Sequence, residues 1–314
     1  MISQSADDIV LLSGVLDGFR SLDKLPLAQW PEHVCSPEEV GLVSAEGSVQ
    51  LPNTAEPLTA SCLQSLQSFP GARVTVVSAT HSTNSDLMRE AVNGSVRGRL
   101  HVAEHQAGGR GRRGRQWISP FARCIAMSVG ICTTRPVLAM QGLGLVTGIA
   151  VCHTLRSLGA VSIGLKWPND LVVEGRKVAG ILVEHQQFGD ESRFVVGVGV
   201  NVALSDLEIS SIPQPVTDLR RLGVSASRVD IVKNMAQFIN EGAALLEAHG
   251  FEPFRDRFRE LHVLHESECV VLGAGVETHG RVVDVGASGE LILDTGSGRR
   301  AFVSGEVSLR RSEQ

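Results

Sequence analysis

The stretch 106–117, Gln-Ala-Gly-Gly-Arg-Gly-Arg-Arg-Gly-Arg-Gln-Trp, sets Arg110, Arg112, Arg113 and Arg115 on a backbone almost without side chains. Glycine lets the main chain take positive φ and approach a ligand closely, while guanidinium groups offer planar, fixed-charge forks suited to phosphate and carboxylate. Such a loop is built to close over an anion. Taken alone it also fits a solvated or nucleic-acid-facing basic patch. Further on, Lys166-Trp167-Pro168-Asn169-Asp170 places a cation, an aromatic wall, an amide and a carboxylate on a proline turn, and Lys177 stands directly before the apolar run 178–183. An ammonium entering an apolar strand is costly unless an anion neutralises it.

Other patterns carry less. Gly109 to Gly114 matches G-x-G-x-x-G, but Ser119-Pro120 follows in place of an amphipathic helix, and Val129 and Gly130 stand where a ribose-binding acid belongs. Gly197-Val198-Gly199-Val200-Asn201 has Val202 at the third glycine's position and reads as a closely packed buried strand. His101 and His105 lie in a strand-like segment without a carboxylate–histidine cluster, so they read as structural. No G-x-S-x-G elbow occurs.

The elements that must position these groups alternate as in a mixed α/β fold. Strands are expected over 73–78, 100–105, 124–131, 162–166, 171–173, 178–185 and 194–202, with Glu174-Gly175 as a hairpin turn. Helices are expected over 83–92, over 137–158, and from Ser227 or Asp230 to Gly250. Short strands over 270–272, 278–285, 291–293 and 300–303, split by glycine-rich turns, suggest a small β-barrel or sandwich.

With 314 residues and 43% hydrophobic content the chain can bury full cores and is expected to hold two or three domains. No apolar run reaches 18 residues, and 137–158 is interrupted by Gln141, Gly142, Gly144, Thr147, Gly148 and His153, so it reads as a core helix rather than a membrane span. The first residues carry no basic leader, which makes the cytoplasm the expected location. Six scattered cysteines without a C-x-x-C pair argue for reduced thiols and against zinc. Residues 1–70 hold two basic residues against nine acids, net −7, so the remainder of a chain of net charge −5 is near +2. The proline-containing stretch 51–57 reads as a linker, giving expected domains 1–67, 68–264 and 265–314.

From about Thr80 to the C-terminus these motifs together resemble biotin protein ligases. Ser82-Thr83-Asn84 is similar to that family's Ser-Thr-Asn element, 106–117 to its ligand loop, and 166–170 to its Lys-Trp-Pro-Asn-Asp signature. The stretch 176–184 resembles its catalytic-lysine strand, 197–201 its glycine strand, and 305–310 the end of its C-terminal barrel. Ala107-Gly108 departs from the family's Thr-Ala and is expected to loosen the loop. The resemblance implies an α/β (α+β) fold: a central mixed-sheet catalytic domain of biotin/lipoate ligase type, a small C-terminal SH3-like β-barrel and an N-terminal winged-helix-like segment.

It further implies that biotin's carboxylate attacks the α-phosphorus of ATP, and that biotinyl-5'-AMP is then captured by a lysine of the biotin carboxyl carrier protein of acetyl-CoA carboxylase. Lys177, Arg112 and Asp170 would be catalytic. Ser82, Thr83, Asn84, Gln106, Arg110, Gly111, Arg112, Lys177 and Gly180 would border biotin. Arg110, Arg112, Arg113, Arg115, Trp117, Asn169, Lys177, Asn201 and Arg310 would meet ATP or the adenylate. Mg²⁺ would accompany the ATP phosphates without a protein metal site. The partners implied are biotin, ATP and the carrier, with a homodimer allowed and no membrane. The alternatives are a lipoate-type protein ligase and a bifunctional ligase that also represses biotin genes through an N-terminal winged helix. For the latter, 9–20 suits a first helix and 41–52 resembles a wing, but Pro26, Pro31, Pro37 and acids occupy the place of a basic recognition helix. A degenerate winged segment that does not bind DNA is the expectation.

Overall fold

The chain opens with a helix because Ser5 and Asp8 form a capping box, each side chain accepting from the other's backbone N–H, ahead of α1 (Ala6–Leu16). A small antiparallel sheet follows, from β1 (Lys24–Pro26), β2 (Val43–Ala45) and β3 (Ser48–Gln50), in the order β1-β3-β2. The computed structural model of the protein describes residues 5–20, 22, 24–31, 33–58, 60–67, 73–273, 276–303 and 307–311. The boundary expected near residue 68 and the motif residues 305–306 lie outside these. Between β1 and β2 the described residues form only the 3-10 turns Leu27–Gln29 and Glu38–Val40, as prolines without an N–H dictate. Among the described residues no α-helix stands there to enter a major groove. A short α2 (Ala60–Gln67) follows, which the sequence pattern did not signal.

The principal sheet begins with β4 (Arg73–Thr80), α3 (Thr83–Asn93) and β5 (Arg99–Gln106), and the intervening helix makes β4 and β5 parallel. Next come β6 (Cys124–Thr133), α4 (Leu143–Ser157), β7 (Gly164–Lys166), β8 (Asp170–Val173), β9 (Arg176–Phe188) and β10 (Glu191–Asn201). The strand order is β4-β5-β6-β10-β9-β8-β7, and all pairs after the first are antiparallel. The helix expected from residue 137 starts only at Leu143. Val137–Met140 is a 3-10 turn and Gly142 has φ +86°, where a Cβ would come within 2.7 Å of the Phe251 ring. Most of α4 is buried, against β9 and α6.

Three helices follow, α5 (Asp206–Ser211), α6 (Arg228–His249) and α7 (Arg255–Leu261). The C-terminal strands are β11 (Glu268–Gly273), β12 (Val276–Val285), β13 (Leu291–Asp294), β14 (Arg299–Phe302) and β15 (Val307–Arg311). They form a five-stranded antiparallel sheet in the order β14-β13-β12-β11-β15. Its Val271, Val282, Leu291, Leu293 and Leu309 join the core of the principal sheet.

The stretch 51–57, expected as a linker, is fastened down. Glu56 N donates to Ala122 O at 3.0 Å, and the Glu56 carbonyl accepts from Arg228 Nη1 at 2.6 Å. Leu58 N donates to Glu104 Oε1 at 2.5 Å. Glu104 and Arg228 form an ion pair of 2.6 Å with side chains 0% and 1% exposed, so any group their removal uncovers is stranded away from water. The N-terminal residues also share a core with the sheet: Leu12, Leu16, Phe19, Val40 and Leu42 cluster with Ala79, Phe121 and Ala122. Glu104→Ala should therefore destabilise the fold by about 3–5 kcal/mol in urea unfolding, while Glu104→Leu with Arg228→Met should lose much less than the two single changes combined.

Candidate active site

Ser82 ends the β4 turn as the N-cap of α3, its hydroxyl accepting from Ser85 N at 3.5 Å. This aims the first turn of α3 across the sheet. Thr83 N and Oγ1 donate to Gln106 Oε1 at 2.8 and 3.1 Å, fixing the glutamine that closes β5. Asn84 Nδ2 donates to Glu184 Oε2 at 2.8 Å and Leu182 O at 3.3 Å, and its Oδ1 lies 2.6 Å from the buried Ser128 hydroxyl. The other oxygen of Glu184 accepts from Arg110 Nη2 at 2.8 Å. Asn84 also explains Gly197: a Cβ there would lie 2.3 Å from Asn84 Oδ1.

The arginine loop is a narrow turn rather than an open strap. Gly111 N donates to Arg115 O at 2.7 Å and Trp117 N to Gly109 O at 2.8 Å, so 110 and 116 pair as a bridge. The turn closes because Arg113 and Gly114 take φ +58° and +69°. Gly108 is no source of looseness, contrary to expectation. Its N–H donates to His81 O at 2.9 Å, and a Cβ would fall 2.1 Å from the His81 ring.

Arg112 turns inward and donates to Asn169 Oδ1 at 3.3 Å. Burial, then the neighbouring Arg113, pulls its pKa down from the ordinary arginine value, with Asp170 opposing, though the guanidinium stays charged near neutrality. Asn169 is itself held by Nδ2 to Ile181 O at 2.9 Å. The hairpin β8–β9 brings Lys177 Nζ to 2.7 Å from Asp170 Oδ1, with side chains 16% and 25% exposed. Trp117 lies with its ring centroid 5.7 Å from Nζ, over cross-strand partners Gly180 and Gly199. A Cβ at Gly199 would come within 2.5 Å of that indole, so the floor must be glycine.

These groups line one cavity of about 820 Å³. Of the residues read from the sequence, Ser82, Thr83, Asn84, Gln106, Arg110, Gly111, Arg112, Arg113, Arg115, Trp117, Asn169, Asp170, Lys177, Gly180 and Asn201 all reach it. Asn201 is buried, and its amide donates to Thr217 O at 3.1 Å and Lys177 O at 3.4 Å, which makes it a clamp on the lysine's backbone. The side chain of Arg310 lies outside the described residues. Three contributors went unread: Ser128, Glu184 in its pairing role, and the wall 211–216. Pro213 and Pro215 were the only sequence signal for that wall, whose Pro215 carbonyl accepts from Lys177 N at 2.9 Å. The arrangement gathers cations and backbone donors around a site where negative oxygens can meet.

Residues 75–201 match the biotin/lipoate A/B protein ligase family, and 265–310 match the biotin protein ligase C-terminal domain. The bifunctional ligase/repressor BirA of Escherichia coli is 32% identical over 252 residues, 80% of this chain and 78% of that protein. The biotin–[acetyl-CoA-carboxylase] ligase of Mycobacterium tuberculosis is 35% identical over 242 residues, 73% of this chain and 85% of its own. The structure of the Aquifex aeolicus biotin protein ligase in complex with biotin and ATP superposes with a TM-score of 0.67 and 26% identity, over 76% of this chain and 99% of that one.

One buried histidine sits beside the site. His105 Nδ1 lies 2.8 Å from Ser119 O, and since a carbonyl only accepts, Nδ1 carries the proton. Burial pushes its pKa down to about 4, and the bond to Ser119 only partly opposes this. Burial, with help from His265, likewise takes His262 down to about 3. In the unfolded chain both titrate near 6.5, so below that pH the unfolded state binds more protons. Urea midpoints should be unaffected by these groups above pH 6.5 and fall as pH drops toward 4, and His105→Gln should remove part of that fall.

Proposed function

This chain belongs to the biotin protein ligase family, and from that premise we propose that it activates biotin with ATP to biotinyl-5'-AMP and transfers biotin to a lysine of the biotin carboxyl carrier protein of acetyl-CoA carboxylase. The observation that carries this reading is the Lys177–Asp170 pair at 2.7 Å, in one cavity with Arg112 and the Ser82–Gln106 cluster. In the first step a carboxylate oxygen of biotin attacks the α-phosphorus and the bond to pyrophosphate breaks. In the second, the acceptor amine forms a C–N bond to the acyl carbon, the C–O bond to AMP breaks, and the amine loses a proton.

Each step gathers negative charge on oxygens. Lys177 is assigned to bridge the acyl and phosphoryl oxygens, and Arg112, with Arg110 exchanging Glu184 for ligand, to meet the carboxylate and α-phosphate. Arg113 and Arg115, exposed on the turn, are placed to reach the outer phosphates. Asn169 holds Arg112 in place. Ser82, Thr83, Asn84 and Gln106 form the polar end for biotin, with the backbone at Gly111 and Gly180 allowing close approach. Trp117 would wall the adenine side and keep water from the adenylate. Asp170 fixes the Lys177 ammonium and is the one carboxylate among the described lining residues able to take the amine proton. Because Asp170 is already committed, the lining offers no oxygen cage, and Mg²⁺ is proposed to enter on the ATP phosphates and neutralise part of their charge. The scattered spacing of the six cysteines, with no C-x-x-C pair, supports a cytoplasmic location.

We propose ligase activity without operator binding. The net −7 of residues 1–70 opposes a polyanion, and 3-10 turns stand where a recognition helix would lie. Incubation with ATP, biotin and a carboxyl-carrier domain should raise the mass of the carrier at one lysine. Absence of pyrophosphate release and of that mass change would sink the ligase reading. Lys177→Ala and Arg112→Ala should each slow single-turnover adenylate formation by on the order of 10²-fold or more. No specific, salt-dependent band shift should appear on biotin-gene promoter DNA. Binding at about 10⁻⁸ M would instead make the protein bifunctional.

A further inference from the structure

The arginine loop leads at its exit to a further arginine, whose surroundings differ from those of the ligand-facing ones. Arg123 stands one residue before β6 and is only 4% exposed. Its Nη2 donates to Gly41 O at 2.9 Å, on the N-terminal segment, and to the Glu208 carboxylate on α5. Its own carbonyl accepts from Val202 N at 3.1 Å and Ala203 N at 3.0 Å, just after β10. Glu208 uses its other oxygen to accept from Ser205 N at 2.8 Å, closing the capping box that starts α5. From α5 the chain runs directly into the wall 211–216, where Pro215 O holds Lys177 N.

The close fit extends to Gly41, at φ +85°, where a Cβ would sit 2.6 Å from Arg123 Nη2 and 2.7 Å from Pro120 Cβ. Phe121 N donates to Val40 O at 2.8 Å beside it. One buried arginine thus ties together the stretch leaving the arginine loop, the helix that leads into the 211–216 wall, and the N-terminal segment.

We propose that Arg123, through Glu208, is a positioning residue that holds the 211–216 wall against the exit of the arginine loop, so that it governs retention of the adenylate rather than the chemistry of its formation. The functional half of this inference rests on the ligase reading above. Two variants isolate the link: Glu208→Gln keeps a capping side chain at the start of α5 while removing the charge, and Arg123→Lys keeps the charge while removing the fork. The first readout needs no ligand. In hydrogen exchange of the full chain, amides over 203–217 should exchange faster in Glu208→Gln, while those of β5 and β9 stay as in the parent.

The second readout is a chase experiment with preformed biotinyl-adenylate. Glu208→Gln should release it on the order of 10-fold faster and raise KM for ATP, with single-turnover formation at saturating ATP within about 3-fold of the parent. Arg123→Lys should recover part of the retention. Unchanged exchange over 203–217, or adenylate retained as long as in the parent, overturns the proposal, as does a fall in formation rate without a change in release. A parent chain that makes no adenylate would sink the ligase reading instead, and the exchange measurement would still decide whether the wall depends on this pair.

Discussion

A carboxylate and a guanidinium buried together leave no freedom to the chain around them. Glu104 lies on β5, two residues before Gln106, and Arg228 opens α6. With neither side chain in contact with water, their remaining donors and acceptors can be met only by protein. Leu58 N meets Glu104 Oε1, and Glu56 O and Cys124 O meet Arg228 Nη1 and Nε, while Arg228 Nη2 has no hydrogen-bond partner among the described residues. This one requirement fixes the approach to α2, the start of β6 and the start of α6 relative to the strand that delivers the ligand loop. Thr83 and Asn84 then find their partners because Gln106 and Ser128 already stand in place.

The site itself obeys a different constraint, that of crowded positive charge. Arg110, Arg112, Arg113, Arg115, Lys166 and Lys177 reach one cavity, and two of them are restrained by acids, Arg110 by Glu184 and Lys177 by Asp170. These pairs hold the cations in position and limit their mutual repulsion until a more highly charged anion competes for them. The glycines serve the same end from below. At 180, 197 and 199 the strands surrender their side chains so that a lysine, an asparagine and an indole can settle on the backbone.

What was legible in the sequence follows from how local each signal is. The alternation of strands and helices, the Glu174-Gly175 turn and the arginine loop are set by near neighbours, and the structure places them within a few residues of expectation. The helix expected from Val137 failed at Gly142, whose left-handed turn is demanded by Phe251, more than a hundred residues away. The stretch 51–57 looked like a linker because its prolines and polar residues carry no hint of a buried pair formed by Glu104 and Arg228. Ser128 and the wall 211–216 were unread for the same reason, since a serine in an apolar strand and a proline-spaced coil acquire meaning only once β6 and β10 lie side by side.

The chain has three tryptophans and no tyrosine, so its near-ultraviolet emission comes from three indoles. Trp30 donates its ring N–H to Cys35 O at 2.8 Å and Trp167 to Gly289 O at 3.2 Å, both deep in packed surroundings. Trp117 is held otherwise, on a glycine floor beside an ammonium, with its ring N–H unpartnered. Two of the chromophores therefore have fixed environments, and the third lines the cavity beside the Lys177 ammonium. The protein thus carries its own optical probe in the wall of this cavity, and the occupancy of the cavity can be followed by fluorescence without a label.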